Sequence, residues 1–142
     1  MCFDVASPDG RQIAYQRETG SPVAMYIWIA EADGSGERKL TEHQGLAPIW
    51  SPDGSKIAYY SADDSWQLAV AGVGDPTSEK RLGAIFENGW TMTWTPDGTR
   101  IIQSPNDASL LVVIDPTGRE VPVATRWEAS RAPTYQRLPF EP

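Results

Sequence analysis

One ten-residue stretch recurs at a fixed interval, and it constrains what this chain can fold into more than any other feature. Trp50-Ser51-Pro52-Asp53-Gly54-Ser55-Lys56-Ile57-Ala58-Tyr59 is its fullest copy. Ser7-Pro8-Asp9-Gly10-Arg11-Gln12-Ile13-Ala14-Tyr15 precedes it, and Trp94-Thr95-Pro96-Asp97-Gly98-Thr99-Arg100-Ile101-Ile102 follows. Ser7 to Ser51 and Ser51 to Thr95 are each 44 residues. A fixed period in that range belongs to solenoids, propellers and other repeat arrays, where each repeat is one supersecondary unit.

Each copy reads as a tight hairpin. Proline presets φ at the first central position of a turn, Asp suits the second, and Gly takes the positive φ that follows. Beyond the turn the residues alternate in direction, with Lys56, Ala58 and Tyr60 on one side and Ile57, Tyr59 and Ser61 on the other. The turn therefore joins a strand ending near Trp50 to one covering about 55–61. The rest of each period supplies two more strands. They are Met25–Ile29 and Arg38–Thr41 around the turn Ala32–Gly36, then Gln67–Ala71 and Lys80–Leu82 around Gly72–Pro76. In the third repeat they are Leu110–Ile114 and Glu120–Val123 around Asp115–Gly118. Four strands per 44 residues make one propeller blade. No 3.6-residue apolar period persists beyond about two turns, which sets aside leucine-rich and helical repeats.

The expected fold is all-β, with blades of four antiparallel strands, three blades per chain and a terminal strand. Blade one covers about 2–45, blade two about 46–89, blade three about 90–131, and a closing strand about 132–138. Arg17–Pro22 is expected as a polar loop, and Glu42–Gly45 and Ala84–Gly89 as crossings between blades. Ala62–Ser65 and Ser104–Asp107 are expected as middle loops.

The run Tyr26-Ile27-Trp28-Ile29-Ala30-Glu31-Ala32-Asp33-Gly34-Ser35-Gly36, then Leu40-Thr41, then Ala47-Pro48-Ile49-Trp50-Ser51-Pro52-Asp53-Gly54 resembles the TolB-like β-propeller repeat. The resemblance covers essentially the whole chain. It is partial in the first repeat, where Ala6 stands in place of the Trp. Ala132-Pro133-Thr134-Tyr135-Gln136-Arg137-Leu138-Pro139 resembles the strand that closes such propellers, with Tyr135 in place of the usual Trp. The resemblance implies a six-bladed ring and protein or peptide partners. Relatives are often periplasmic. They work in cell-envelope complexes, serve as accessory domains, or gate the active site of serine peptidases of the prolyl-oligopeptidase type. Three blades are half of such a ring. A homodimer closing it is therefore expected, with the chain acting as a non-enzymatic interaction scaffold. The alternatives are a piece of a peptidase propeller domain or an artificial array made to study repeat assembly.

The charge balance narrows the partners. Twelve basic residues against 19 acidic ones give a net charge of -7. Sequence-independent nucleic-acid binding needs a basic footprint, and so does docking on an anionic membrane. Cys2 is the only cysteine, so no intrachain disulfide forms. There is no apolar run near 18 residues and no basic-then-apolar leader, so neither a transmembrane helix nor a signal peptide is expected in this chain. The compartment stays open.

The threading sorts connections onto two faces. The Pro-Asp-Gly turns (Pro8, Asp9, Gly10; Pro52, Asp53, Gly54; Pro96, Asp97, Gly98) repeat and are expected to be structural. A ring of three carboxylates is one way to hold a cation, but the neighbouring residues read as turn chemistry. Glu31–Glu37 has calcium-loop character only superficially, because strand sequence precedes it and flanking helices are missing. The crossings and middle loops differ between repeats. Rigid scaffolds carry function on such loops, so His43, Asp63, Asp64, Glu87, Asn88, Trp127 and Glu128 are the candidate binding residues. His43 is the only histidine, and no Gly-x-Ser-x-Gly elbow accompanies it, so neither a hydrolytic triad nor a zinc site is expected. No catalytic residue, metal or cofactor is assigned. Trp28, Trp50 and Trp94 lie inside strands and are expected to pack between blades. Trp66, Trp90 and Trp127 lie at loop–strand junctions, where a Trp can anchor a partner.

Overall fold

The computed structural model describes residues 4–62, 66–85, 91–104 and 112–117. These residues form eleven strands and no helix. The first sheet holds β1 (Asp4–Ala6), β2 (Gln12–Thr19), β3 (Ala24–Glu31) and β4 (Arg38–Lys39). The second holds β5 (Gly45–Trp50), β6 (Lys56–Ala62), β7 (Trp66–Gly72) and β8 (Asp75–Ile85). The third holds β9 (Thr91–Trp94), β10 (Ile101–Ser104) and β11 (Val112–Ile114). Strands pair antiparallel with their neighbours in sequence, so each sheet is a meander. β5 touches β1, β2 and β3, and β9 touches β5. The sheets therefore stack side by side as successive blades, led by their first strands. The Glu120–Val123 strand expected in blade three and the closing strand lie outside the described residues.

The turns show why the repeat sequence is what it is. Gly10, Gly54 and Gly98 have φ of 71°, 72° and 68°, the left-handed region that costs glycine nothing. In the second turn the Ser51 hydroxyl donates to Asp53 Oδ1 at 2.7 Å and accepts the Lys56 N–H at 3.0 Å. Ser7 and Thr95 do the same in their turns. One hydroxyl thus ties the turn's acid to the first residue of the outgoing strand. The Ser or Thr before Pro-Asp-Gly is as much part of the motif as the glycine.

The strand alternation divides blade two between two cores. Ile57, Tyr59, Ala69, Ala71 and Trp50 pack with Ala14, Ile27, Ile29 and Leu40 of blade one. Ala58, Leu68 and Val70 pack with Trp94 and Ile101 of blade three, and Ile49, Tyr60, Leu82, Met92 and Ile114 join them. Successive side chains of a strand point to opposite faces. A blade apolar on both faces must therefore have a neighbour on each side. Trp50 adds a polar link, its indole N–H donating to the Val5 carbonyl at 2.9 Å. Truncating a fully buried side chain such as Ile57 to Ala typically costs about 2–5 kcal/mol.

Several boundaries differ from the sequence reading. Arg17–Thr19 continue β2 instead of opening the loop, pairing Arg17 with Tyr26 and Thr19 with Ala24. The ladder hydrogen bonds and the aromatic neighbours outweigh the polar composition there. β8 begins at Asp75, directly after a two-residue turn at Val73 and Gly74, so Asp75 and Pro76 are strand and not loop. Proline is tolerated because β8 is the edge strand of its sheet. Two register shifts against β7 bulge the edge, and Ser78 Oγ accepts the Gly72 N–H at 2.7 Å. Ala84 and Ile85 also belong to β8 and not to the crossing. β4 is shorter than expected, although Leu40 and Thr41 are buried and Leu40 N–H still reaches the Ile27 carbonyl at 2.8 Å.

Gly45 opens β5 in a tight place. A Cβ there would lie 2.9 Å from Ile27 Cγ1 and 3.0 Å from Tyr59 Cδ2, both fully buried side chains of the first core. We predict that Gly45→Ala destabilises the fold by about 1–3 kcal/mol through overpacking. Gly74→Ala, whose Cβ meets nothing within 4 Å, should leave stability nearly unchanged. Urea or thermal unfolding of the two variants checks this, and equal midpoints would contradict the packing described.

Candidate interaction face

One end of the blades is closed by its own hydrogen bonds. It carries the three Pro-Asp-Gly turns and the turns after β3, β7 and β11. In four of these six turns, and at the strand residue directly after the fifth, an Asp stands two residues before a Ser or Thr and bonds both its N–H and its hydroxyl. The pairs are Asp33 with Ser35, Asp53 with Ser55, Asp75 with Thr77, Asp97 with Thr99 and Asp115 with Thr117. In the sixth, Arg11 offers only its N–H to Asp9. The Oδ1 of Asp9, Asp53 and Asp97 is thus committed to its own turn. Among the described residues no group of three or more His, Cys, Asp or Glu side chains is placed to hold a metal ion. Adjacent turns also touch: a Cβ on Gly54 would meet Pro8 Cδ at 3.7 Å, and one on Gly98 would meet Pro52 Cδ at 3.6 Å.

The opposite end is irregular. It carries the connection 20–23 between β2 and β3, the crossing 42–44 and the end of β6. The Ala62 N–H donates to the Gln44 carbonyl at 3.0 Å, which fixes the crossing to blade two. β5 is bulged between Leu46 and Ile49, and Ala47 takes a φ of 52°, the left-handed region for a residue with a Cβ. The buried Gln16 of blade one holds this bulge through its Oε1, which accepts the Ala47 N–H. Val23 and Trp66 are the exposed large hydrophobic residues among those described, 66% and 41% accessible. Val23 ends the connection between the second and third strands of blade one, and Trp66 opens the third strand of blade two. Glu18 and Glu42 are exposed on the same end.

Of the candidate binding residues, only His43 falls among the described residues. Its Nδ1 lies 3.4 Å from the Glu79 carboxylate on β8, and Arg81 Nε lies 3.5 Å from the same group. His43 thus links the blade-one crossing to the outer strand of blade two. Asp63, Asp64, Glu87, Asn88, Trp127 and Glu128 lie outside the described residues, as do Trp90 and Asp107. Trp66 is the junction tryptophan whose exposure is described. Val23 and Ala47 carry no mark in the repeat pattern, because one follows a variable loop and the other depends on a side chain from the neighbouring blade.

The open face of blade one carries a polar cover. Trp28, expected between blades, points away from blade two, beside Tyr15 and Tyr26. The Arg17 guanidinium lies 5.0 Å from the Trp28 ring centroid, and Lys39 Nζ lies 4.3 Å from that of Tyr26. Glu37 accepts from the Tyr15 hydroxyl at 2.7 Å and from Arg17 at 3.2 Å. The Tyr15 hydrogen bond holds Glu37 below the usual carboxylate range, while burial pushes the Tyr15 phenol up. Each exposed cation–π contact contributes about 0.5–1 kcal/mol.

This stack of antiparallel meanders, two of four strands and one of three among the described residues, is a partial β-propeller. No protein-family model matches the chain, and no curated protein matches it. Solved structures do, and they give its blades a TolB-like fold. A TolB structure from Agrobacterium tumefaciens superposes with a TM-score of 0.68 at 21% identity, over 87% of this chain and 46% of that one. The β-propeller domain of the Trilobed protease from Pyrococcus furiosus gives 0.65 at 20%, over 92% and 44%. Pyrococcus horikoshii acylaminoacyl peptidase gives 0.60 at 19%, over 83% and 23%. The chain spans less than half the length of each of these structures.

The turn acids set a pH window. The Ser55 N–H and the Ser51 and Ser55 hydroxyls lower Asp53 to about 2, and the Thr95 hydroxyl with Thr99 lowers Asp97 to about 2, both from 3.8. A carboxylate whose folded pKa lies below its unfolded value adds stability above the unfolded value, and that contribution is lost as pH falls through the folded one. We predict that the melting temperature drops between about pH 4 and pH 2. Asp53→Asn with Asp97→Asn should flatten the drop in that window. An unchanged slope in thermal melts of the double variant would contradict the hydrogen-bonded turns.

Proposed function

We propose that this chain is a non-enzymatic β-propeller scaffold that holds a protein or peptide partner on its loop face, in a ring completed by a second copy. The observation that carries the reading is the contrast between the two ends of the blades. One end uses up its polar groups in repeated turns. The other varies from blade to blade and leaves Trp66 and Val23 exposed. Exposed tryptophan on a rigid scaffold is a frequent binding anchor. The blade architecture supports the ring: propellers close with about 4–8 blades, and among the described residues blades one and three each have a face with no neighbouring blade. The acidic net charge of -7 favours partners carrying basic residues over nucleic acid.

A second reading has support from peptidase propellers among the structural neighbours. In it the chain is part of a peptidase propeller domain, and the loop face borders a catalytic domain instead of a free partner.

Selection of peptides from a random library on the immobilised protein tests the first reading. We predict binders that lose about tenfold or more in affinity to Trp66→Ala at unchanged melting temperature, the size expected of an anchor residue. Binding unaffected by Trp66→Ala would remove the loop face from consideration. Peptide or ester hydrolysis by the isolated chain, abolished by His43→Ala, would overturn the scaffold reading.

A further inference from the structure

The two cores follow a size rule at the junctions between blades. Where a first strand ends on Trp, the preceding blade offers Ala. Trp50 shares the first core with Ala14, and Trp94 shares the second with Ala58. Ala14, Ala58 and Ile102 are equivalent positions, each following the isoleucine that pairs with the end of the first strand. Those pairs are Ile13 with Ala6, Ile57 with Trp50, and Ile101 with Trp94.

The two open faces break this rule in opposite senses. Blade one ends its first strand on Ala6, the position where blades two and three have Trp. Blade three offers the half-buried Ile102 where blades one and two offer Ala. The third strand of blade one differs as well. Trp28, paired with Tyr15, replaces the Ala69 that pairs with Tyr59. On blade three Val113, paired with Ile102, stands where blade two has Val70 paired with Ala58 and blade one has Ile29 paired with Ala14. At the first-strand position small meets large in each internal junction, and the open faces carry the two sizes with the roles interchanged.

We infer that the open face of blade one docks against the outer face of blade three of a second copy, and that Ala6 against Ile102 is the steric key of this junction. Ile102 fills the space that a first-strand Trp takes inside the chain. Trp28 lies over Val113, a position held by Ile29 in the first internal junction and by Val70 in the second. The inference rests on the ring reading above and specifies which faces meet. The internal junction supplies the template: blade two's counterparts of Ile13, Tyr15 and Ala30 are Ile57, Tyr59 and Ala71, all buried against blade one. The same key rejects the wrong pairing. Ala6 against an alanine at the blade-three position would leave a void, and a Trp against Ile102 would overfill the space. Arg17, Glu37 and Lys39 give the face a charged cover in the unpaired chain.

Light scattering after size exclusion and sedimentation equilibrium test the key, with melting curves reporting the fold. The wild-type chain is expected at twice its 15.6 kDa mass. Ile102→Asp should give a folded monomer. Ala6→Trp should raise the dimer dissociation constant by about tenfold or more, and adding Ile102→Ala should bring it back to within about threefold of wild type, the coupling expected of facing residues. A wild-type folded monomer would overturn the ring reading and this junction with it. A dimer that Ala6→Trp does not weaken, or that Ile102→Ala does not rescue, would overturn the key while self-association stands. If Ala6→Trp unfolds the chain, Ile102→Ala alone decides: a dissociation constant unchanged from wild type sinks the proposal.

Discussion

The pleat of a single strand governs this molecule. Side chains leave a strand alternately to its two sides, so a sheet that is apolar at consecutive positions has two faces to bury. Strands β6 and β7 show the consequence most clearly. Ile57, Tyr59, Ala69 and Ala71 go into one core, and Ala58, Leu68 and Val70 go into the other. Neither core exists without a second sheet, so blade two is stabilised only as the middle of a stack. The same physics makes the ends of the stack the chemically interesting surfaces. Blade one meets the problem by laying Arg17 and Lys39 over Trp28 and Tyr26, whereas blade three leaves Ile102 and Val113 half-buried.

The two ends of the blades divide the work differently. At the turn end the polar groups satisfy one another locally, through a hydroxyl that bridges the turn and an aspartate that receives the N–H two residues on. Local bonds of this kind fix the entry and exit of each strand pair and leave little to offer a partner. At the other end the connections are set by contacts between blades: Ala62 bonds to Gln44, Gln16 holds the Ala47 bulge, and His43 reaches Glu79. Variation in those loops therefore costs the individual blade little. The likeness to TolB and to peptidase propellers, at about a fifth identity, is a likeness of fold. The same frame recurs in proteins of different activity, so the fold alone assigns no function.

What the sequence determined by itself is local and periodic. The 44-residue spacing, the Pro-Asp-Gly turns and the two-residue alternation specify blade number, strand order within a blade and the positive φ at Gly10, Gly54 and Gly98. These features are encoded within a few residues of one another, which is why they are readable without a structure. Tertiary structure decided everything that depends on a neighbouring blade. Trp28 and Trp50 both sit inside strands, yet one faces outward beneath Arg17 and the other is buried, because no described blade packs on that face of blade one whereas Trp50 packs against blade one. His43 stands in a variable loop like any solvated histidine, and only the stacking of blade two brings Glu79 within reach. The extension of β8 back to Asp75 and the strained Ala47 likewise come from ladder and side-chain bonds to residues distant in sequence. Composition at 75 and 47 says nothing of those partners, since the partners exist only once the blades have packed.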